Sequence, residues 1–146
     1  PTLQVFAGML PIYAVYCLGD TAFNWLDVLA AVVTFSAVTL QLVSDRQLHR
    51  FIAQRQEGEQ LHTGLWAWSR HPNYCGELGF WLGLFLLGLA AYPSGWWWTI
   101  LGVVLMTLMF LFASIPMMEK RSLQRRPEYQ QIIDSTSMLI PWPPRR

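Results

Sequence analysis

The sequence predicts an all-α fold, a polytopic transmembrane helical bundle, from three observations. Hydrophobic residues make up 53% of the 146-residue chain and charged residues only 13%, which is far from the composition of a soluble protein. Apolar runs recur, each near the length that crosses the ~30 Å hydrocarbon core of a bilayer. All ten Lys and Arg residues fall in two stretches, 46–70 and 120–146. We therefore expect a single membrane domain with one basic face.

Four apolar runs predict the membrane spans, since about 20 helical residues cross the hydrocarbon core. They cover residues 3–18, 25–43, 78–92 and 96–115. The first and third runs are short, and Pro11 is expected to kink or interrupt the first. The connector Pro93-Ser94-Gly95 is a turn sequence, so the last two runs are predicted to form a helical hairpin.

The start of the third run carries a repeat of small residues. Gly76, Gly79 and Gly83 recur at spacings of three and four, which places them on one face of a helix. Such a face lets a neighbouring helix approach closely in a membrane. Glycine is also common in membrane helices, so the spacing favours a tight contact without requiring one.

The distribution of charge predicts the orientation. Cytoplasmic loops carry the excess of Lys and Arg, so the helical segments 44–75 and 116–146 are predicted to be cytosolic. The connectors 19–24 and 92–95 have no basic residue and are predicted to lie outside. The chain is thus expected to be a multi-pass protein of a bacterial inner membrane or the endoplasmic reticulum, in contact with membrane lipids and not with nucleic acid.

Two further features bear on the class of protein. Cys17 and Cys75 form neither a CxxC pair nor a metal-ligand spacing, so no disulfide framework and no metal site are expected. The chain opens at Pro1 directly in an apolar run, without the basic segment and cleavage site of a signal peptide. We expect it to be the C-terminal part of a longer protein.

A candidate site precedes the third span. Pro72 suits the first turn of a helix, so the N-terminus of that helix would lie at the membrane surface beside Arg70 and His71. Free N–H groups and basic side chains at a helix N-terminus suit an anion such as phosphate. The alternative is that Arg70 and His71 only anchor the helix at the interface, and the residues themselves favour neither interpretation.

The neighbouring residues add groups of other kinds to this candidate site. Trp66 and Trp68 offer flat surfaces for a purine or nicotinamide ring, or belong to an interfacial aromatic belt. Asn73 and Tyr74 supply neutral hydrogen-bonding groups. Glu77 is predicted one turn inside the membrane helix, where an unpaired carboxylate is costly. We therefore expect Glu77 to have a partner in the protein or in a ligand.

Two other polar stretches are candidates on the same side of the membrane. Residues 45–55 are predicted to continue the second span as a helix, with Asp45 and His49 on one face and Arg50 on another. Glu119 opens a basic tail helix. The alternative for these basic residues is that they bind anionic lipid head groups.

The motifs Gly64-Leu65-Trp66, Ser69-Arg70-His71-Pro72-Asn73-Tyr74 and Gly76-Glu77 together resemble the signature of the steroid 5-alpha-reductase C-terminal domain superfamily. The tail, with its motifs at 125–129 and 140–144, resembles one branch of it, the DUF1295 family. The resemblance implies an enzyme that uses NADPH to reduce a carbon–carbon double bond of a lipid-like substrate, such as a sterol, an enone or an acyl chain. It places the cofactor on the cytosolic face and the substrate in the bundle.

The resemblance also implies roles for particular residues. Asp45 and either His49 or Arg50 would face the adenosine half of the cofactor, and Arg70 and His71 its phosphates. Residues matching other cofactor contacts are Asn73 with Tyr74, Glu77 near the nicotinamide, and Glu119; Trp66 is the candidate ring surface. The family's substrate-activating tyrosine and glutamate belong to an N-terminal half, so the catalytic residues are expected upstream of Pro1.

Two alternatives remain open at this stage. Isoprenylcysteine carboxyl methyltransferases also have an Arg-His-Pro element before a helix, which implies S-adenosylmethionine as cofactor. Their tails usually have two adjacent glutamates, whereas here Lys120 follows Glu119 and the chain ends in a Trp-Pro-Pro motif, so the reductase is favoured. The other alternative is a non-enzymatic membrane scaffold whose basic loops bind lipid.

Overall fold

A computed structural model describes residues 2–56 and 58–144, and within these ranges the fold is helical without strands, as predicted. The α-helices are α1 (Thr2–Tyr13), α2 (Trp25–Gln54), α3 (Pro72–Ala91), α4 (Trp96–Thr99), α5 (Leu101–Met109), α6 (Ile115–Arg125) and α7 (Tyr129–Ser135). A π-helical segment (Ala14–Leu18) extends α1, and another (Phe110–Ser114) joins α5 to α6.

Three helical stretches are long and apolar enough to cross a membrane: Trp25–Gln54, Pro72–Ala91 and Pro93–Arg125. The prediction of an integral membrane protein is thereby confirmed. The apolar stretch Thr2–Leu18 is shorter, so the predicted count of four spans holds only if a helix of about 25 Å is included. Pro11 lies inside α1 without ending it.

The longest helical stretches extend beyond the hydrocarbon core. Pro93–Arg125 has 33 residues and α2 has 30, which gives lengths of about 50 and 45 Å against a core of ~30 Å. The polar ends of both, including Glu119, therefore project out of the membrane-spanning part. The prediction that residues 45–55 continue the second span as a helix is confirmed to Gln54.

The predicted tight helix contact is the main interface of α2 and α3. A Cβ atom at Gly79 would press on the Cβ of Ala37, and one at Gly83 would overlap the Thr34 side chain. A Cβ at Gly76 would meet the α2 backbone. Because these three positions have no side chain, the two helix backbones can pack closely along this face.

The other side of α3 carries the core and the contacts with α1 and α5. Trp81, Met106, Phe110 and Ile115 form a buried cluster. The ring of Trp81 fills the space over Gly8 of α1. Thus α1 and α2 both pack on α3, from different sides.

Hydrogen bonds fasten the two ends of the bundle. At one end, Thr21 Oγ1 donates to the carbonyl of Ala90 at 2.5 Å. At the other end, Arg126 Nη1 donates to the carbonyl of Glu59 at 2.8 Å, and the tail returns so that the Trp142 N–H bonds the Trp68 carbonyl at 2.9 Å. The two basic segments therefore meet at one end of the molecule, opposite the short connectors.

Candidate functional site

The start of α3 is shaped by a polar turn. Pro72 is the first residue of α3, as predicted, and Ser69 is fully buried before it. Ser69 Oγ accepts from the His71 N–H at 3.1 Å and donates to the carbonyl of Leu139 at 2.8 Å. One hydroxyl thus orders the entry to the helix and ties it to the tail.

Arg70 fastens the tail at three points. Its Nε lies 2.7 Å from Glu119 Oε1, and its Nη1 donates to the carbonyls of Ile133 at 2.7 Å and Thr136 at 2.8 Å. Arg70 is only 9% exposed. Its guanidinium is therefore largely occupied by the protein, rather than free at the surface as an anion site would need. Its predicted role at the cofactor phosphates remains a prediction.

The Glu119 carboxylate accepts hydrogen bonds from two side chains, Arg70 and His71. His71 Nε2 lies 3.2 Å from the same Oε1 that pairs with Arg70. Burial alone raises the pKa of the Glu119 carboxyl, but the hydrogen bond to His71 and the charge of Arg70 outweigh it and hold the pKa below its ordinary value. Glu119 is thus a stable carboxylate at neutral pH.

A stack of rings links His71 to the hydrophobic core of the protein. The His71 ring lies parallel to Tyr74 at 5.5 Å between centroids, and Tyr74 stacks on Phe110 at 4.4 Å. The Tyr74 hydroxyl donates to Met118 Sδ at 2.9 Å. Tyr74 therefore lies beside His71, and its hydroxyl is already hydrogen-bonded within the protein.

A cavity of about 210 Å³ lies between the end of α2, the 60–66 loop and helices α6 and α7. Apolar side chains dominate its wall, together with three aromatic residues and three arginines. The lining residues are Leu48, Phe51, Ile52, Arg55, Gln60, Leu61, Trp66, Arg70, His71, Met118, Ser122, Arg126, Tyr129 and Ile132. Burial and the nearby Glu119 charge raise the pKa of Tyr129, so its hydroxyl stays a neutral hydrogen-bonding group.

A second, more open cavity of about 500 Å³ adjoins the first. The two cavities share Arg55, at the end of α2, and Arg126, after the end of α6. The second adds Arg125, with Glu128 on its wall. Together they form a depression that is apolar and aromatic in the first cavity and rich in guanidinium groups in the second.

The structure brings only some of the predicted residues to this depression. Trp66, Arg70 and His71 line it, and the Trp66 indole is fixed by a 3.1 Å hydrogen bond to the Ser44 carbonyl. His49 and Arg50 are exposed and do not line it. They lie on another face of α2, where His49 Nδ1 is 2.7 Å from the Asp45 carbonyl oxygen.

Asp45, Asn73 and Glu77 do not line this depression. Asn73 Oδ1 is buried without a hydrogen-bond partner. Glu77 lines a separate cleft of about 300 Å³ with Gln41 and Trp81, and it is close enough to Asp45 for the two carboxylates to repel. A buried unpaired acceptor is costly, and Asn73 Oδ1 therefore keeps an unused capacity to accept a hydrogen bond.

Sequence reasoning missed Arg55 and Tyr129 as lining residues, and it left Arg126 among the basic tail residues that could bind lipid head groups. A signal was available for Arg55, because Leu48, Phe51 and Ile52 precede it at spacings that share one helical face. The tail residues gave no such signal, since α6 ends at Arg125 and the chain turns before α7.

Comparison with known proteins identifies the family. The family model described as "Protein of unknown function (DUF1295)" matches residues 2–136. The chain belongs to the DUF1295 family. Over 79 residues it is 35% identical to an uncharacterized protein of Schizosaccharomyces pombe, a match that covers 54% of this chain and 23% of that protein. No solved structure matches it significantly.

The match confirms the DUF1295 family, which the tail motifs predicted. The matched range contains every residue that lines the two adjoining cavities. The depression at the basic end is therefore built entirely from the part of the chain that matches the DUF1295 family.

Proposed function

We propose that this chain is the cofactor-binding part of a membrane reductase, which holds NADPH at its basic end and reduces a carbon–carbon double bond of a lipid-like substrate. The observation that carries the proposal is the pair of adjoining cavities that share Arg55 and Arg126. The resemblance to the steroid reductase superfamily supplies the reaction class, and the cavities supply a place for the cofactor.

NADPH contains flat rings and phosphate groups, and the two cavities match these two kinds of group. The first has Trp66 and Tyr129 in an apolar wall, which suits a flat ring. Its 210 Å³ is below the ~300–1,000 Å³ that encloses a drug-sized ligand, so it would hold one end of a longer molecule. Arg55, Arg125 and Arg126 of the second suit phosphate oxygens.

The arginines also distinguish the two candidate cofactors. S-adenosylmethionine carries a sulfonium cation and no phosphate. Its single carboxylate is the only anionic group with which the three guanidinium groups could pair. NADPH carries several phosphate charges. Charge complementarity therefore favours the reductase over the methyltransferase.

Asn73 and Glu77 complete the proposal. When bound, NADPH supplies the hydride. Asn73, with its unpaired buried Oδ1, and Glu77 would orient the reacting end of the cofactor toward the bundle. Arg70 and Glu119 act at one remove, because they hold the tail that forms the wall of the cavity.

Equilibrium titration of the purified protein in detergent tests this function, with NADPH and S-adenosylmethionine compared under the same conditions. We expect saturable binding of NADPH and weaker binding of S-adenosylmethionine. Tighter binding of the methyl donor would make the chain a methyltransferase component. Saturable binding of neither would favour a lipid-binding scaffold, and either result overturns the proposal.

A further inference from the structure

A group of apolar side chains is exposed at the basic end of the bundle, on the part of the tail that follows α7. Ile140 is 70% exposed and Trp142 67%, and Met138 and Trp68 are exposed as well. Three of these four side chains belong to residues 137–142, a segment that we call the strap. Single exposed apolar residues are ordinary on a protein surface, but a group of them marks an interaction surface.

The strap is fastened to the residues that precede α3. The Arg70 N–H donates to the Ser137 carbonyl at 2.8 Å, and the Trp142 N–H donates to the Trp68 carbonyl at 2.9 Å. These two bonds hold both ends of the strap. The strap therefore lies at the same level along the bundle as residues 68–70.

The length of α3 places this level at the membrane surface. The helix has 20 residues and is about 30 Å long, which matches the ~30 Å hydrocarbon core of a bilayer. Its two ends therefore lie near the two boundaries of the hydrocarbon. Trp96 and Trp97, both exposed, follow its far end, where an interfacial belt of aromatic residues is expected. The strap lies at the opposite boundary, at the level of the lipid head groups.

Leu139 shows which way the strap faces. Its side chain packs against the core cluster that contains Phe110 and Ile115. The side chains on either side of it, Met138 and Ile140, are exposed and so point away from the bundle. At this level the surroundings of the bundle are lipid head groups and the nearest parts of the acyl chains.

We infer that the strap is seated in the interfacial layer of the bilayer, with Ile140 and Trp142 between the lipid head groups and the acyl chains. A tryptophan ring suits this layer because its body is apolar and its N–H is polar. The occupant of the surface is lipid, since the strap continues the surface of a membrane-spanning helix at the point where that helix meets the boundary. The bilayer would thus hold the tail, whose helix α7 lines the basic depression.

Spin labelling of the protein in phospholipid nanodiscs tests this inference. A nitroxide is attached at Ile140→Cys in a chain that also carries Cys17→Ser and Cys75→Ala. Power saturation then measures its collisions with molecular oxygen, which concentrates in the bilayer, and with a nickel complex that stays in water. We expect a label at Ile140 to collide with oxygen frequently and with nickel rarely.

Two labelled variants provide matched controls. Val32→Cys lies on an exposed face of α2 within the membrane-spanning part, and Gln131→Cys lies on an exposed face of α7. The label at Ile140 should be several-fold less accessible to nickel than the label at Gln131, and its ratio of oxygen to nickel collisions should approach that of Val32. A ratio like that of Gln131 would show that water surrounds the strap. Low accessibility to both reagents would show that another protein segment covers it, and either result overturns the inference.

Fluorescence quenching provides a second test that retains both cysteines. The emission of Trp142 is the difference between the wild type and Trp142→Phe, and the exposed Trp96 at the other end is measured in the same way with Trp96→Phe. Lipids brominated near the head group should quench Trp142 several-fold more than lipids brominated near the chain end, as they should Trp96. Absence of quenching at Trp142 would contradict the inference. Neither test involves a cofactor, so the inference stands or falls independently of the proposed function.

Discussion

The guanidinium of Arg70 and the carboxylate of Glu119, 49 residues apart in the chain, lie 2.7 Å apart at the basic end of the bundle. Their side chains are only 8% and 15% exposed. The pair joins the start of α3 to α6, while Arg70 also holds two carbonyls of the tail. One ion pair therefore connects three parts of the wall around the candidate cofactor site.

Replacement of Arg70 should loosen the tail. Arg70→Ala leaves two tail carbonyls without their donor and the Glu119 carboxylate with His71 alone, and breaking a buried pair costs about 3–5 kcal/mol. We expect a lower unfolding midpoint in detergent and faster cleavage by trypsin at Arg125. Arg121→Ala, at an exposed position of α6, should change neither, and equal effects of the two substitutions would contradict this account.

The stability of the protein should fall in acid because of Glu119. Its pKa is below the ordinary 4.5, so the pair stabilises the fold fully above that value and the contribution is lost as pH falls through the lower, folded value. Unfolding in detergent between pH 7 and pH 3 measures this. In Glu119→Gln the acid-dependent loss should be smaller, and an unchanged pH profile would show that other groups dominate.

Substitution of Gly83 should weaken the contact between α2 and α3. Gly83→Ala places a Cβ against the Thr34 side chain, and overpacking of this kind costs about 1–3 kcal/mol. Alanine is the better helix former by about 1 kcal/mol, so a net loss of stability would identify the close contact as the cause. The control is Ser36→Ala, at an exposed position of α2, for which we expect no loss.

Arg125 should contribute to cofactor affinity through its charge. Arg125→Gln is expected to weaken NADPH binding about tenfold, since a hydrogen bond to a charged group is worth about 1.5–3 kcal/mol and Arg125 is exposed. The salt dependence of the Kd should also become shallower. Arg121→Gln, one turn earlier on the same helix and outside both cavities, should leave the Kd unchanged; a similar loss in both would indicate a general effect of charge.

Asn73 offers a test that separates a binding site from a scaffold. Its Oδ1 is buried and unpaired, so Asn73→Ala removes an unsatisfied acceptor and should leave the unfolding midpoint nearly unchanged. NADPH binding should fall by about tenfold or more, because a hydrogen bond to the ligand is lost. Unchanged binding with unchanged stability would remove Asn73 from the site.

Much of the fold follows from local features of the sequence. The apolar runs, the turn at Pro93-Ser94-Gly95 and the start of α3 at Pro72 are properties of neighbouring residues, and the structure confirms them. The glycine face of α3 was predictable because helical spacing alone places Gly76, Gly79 and Gly83 together. Its partner, α2, was not, since spacing within one helix does not identify its neighbour.

The candidate site, too, was predictable from the sequence only in part. The motif from Ser69 to Tyr74 marked the correct end of α3, but it did not show that Arg70 would be occupied by Glu119 and the tail rather than exposed to a ligand. That pairing depends on where the tail returns, 49 or more residues later. Burial then decides the role of the guanidinium, because a buried charge must be paired.

The sequence by itself determined that this is a helical membrane protein with its basic residues at one end, because hydropathy and charge are properties of short segments. The tertiary structure alone decided which of those basic residues meet around a cavity. Arg55 and Arg126 come from helix ends 71 positions apart and converge because α2 and α6 both extend beyond the membrane-spanning part at the same end. Long-range packing of this kind leaves no local pattern in a single sequence.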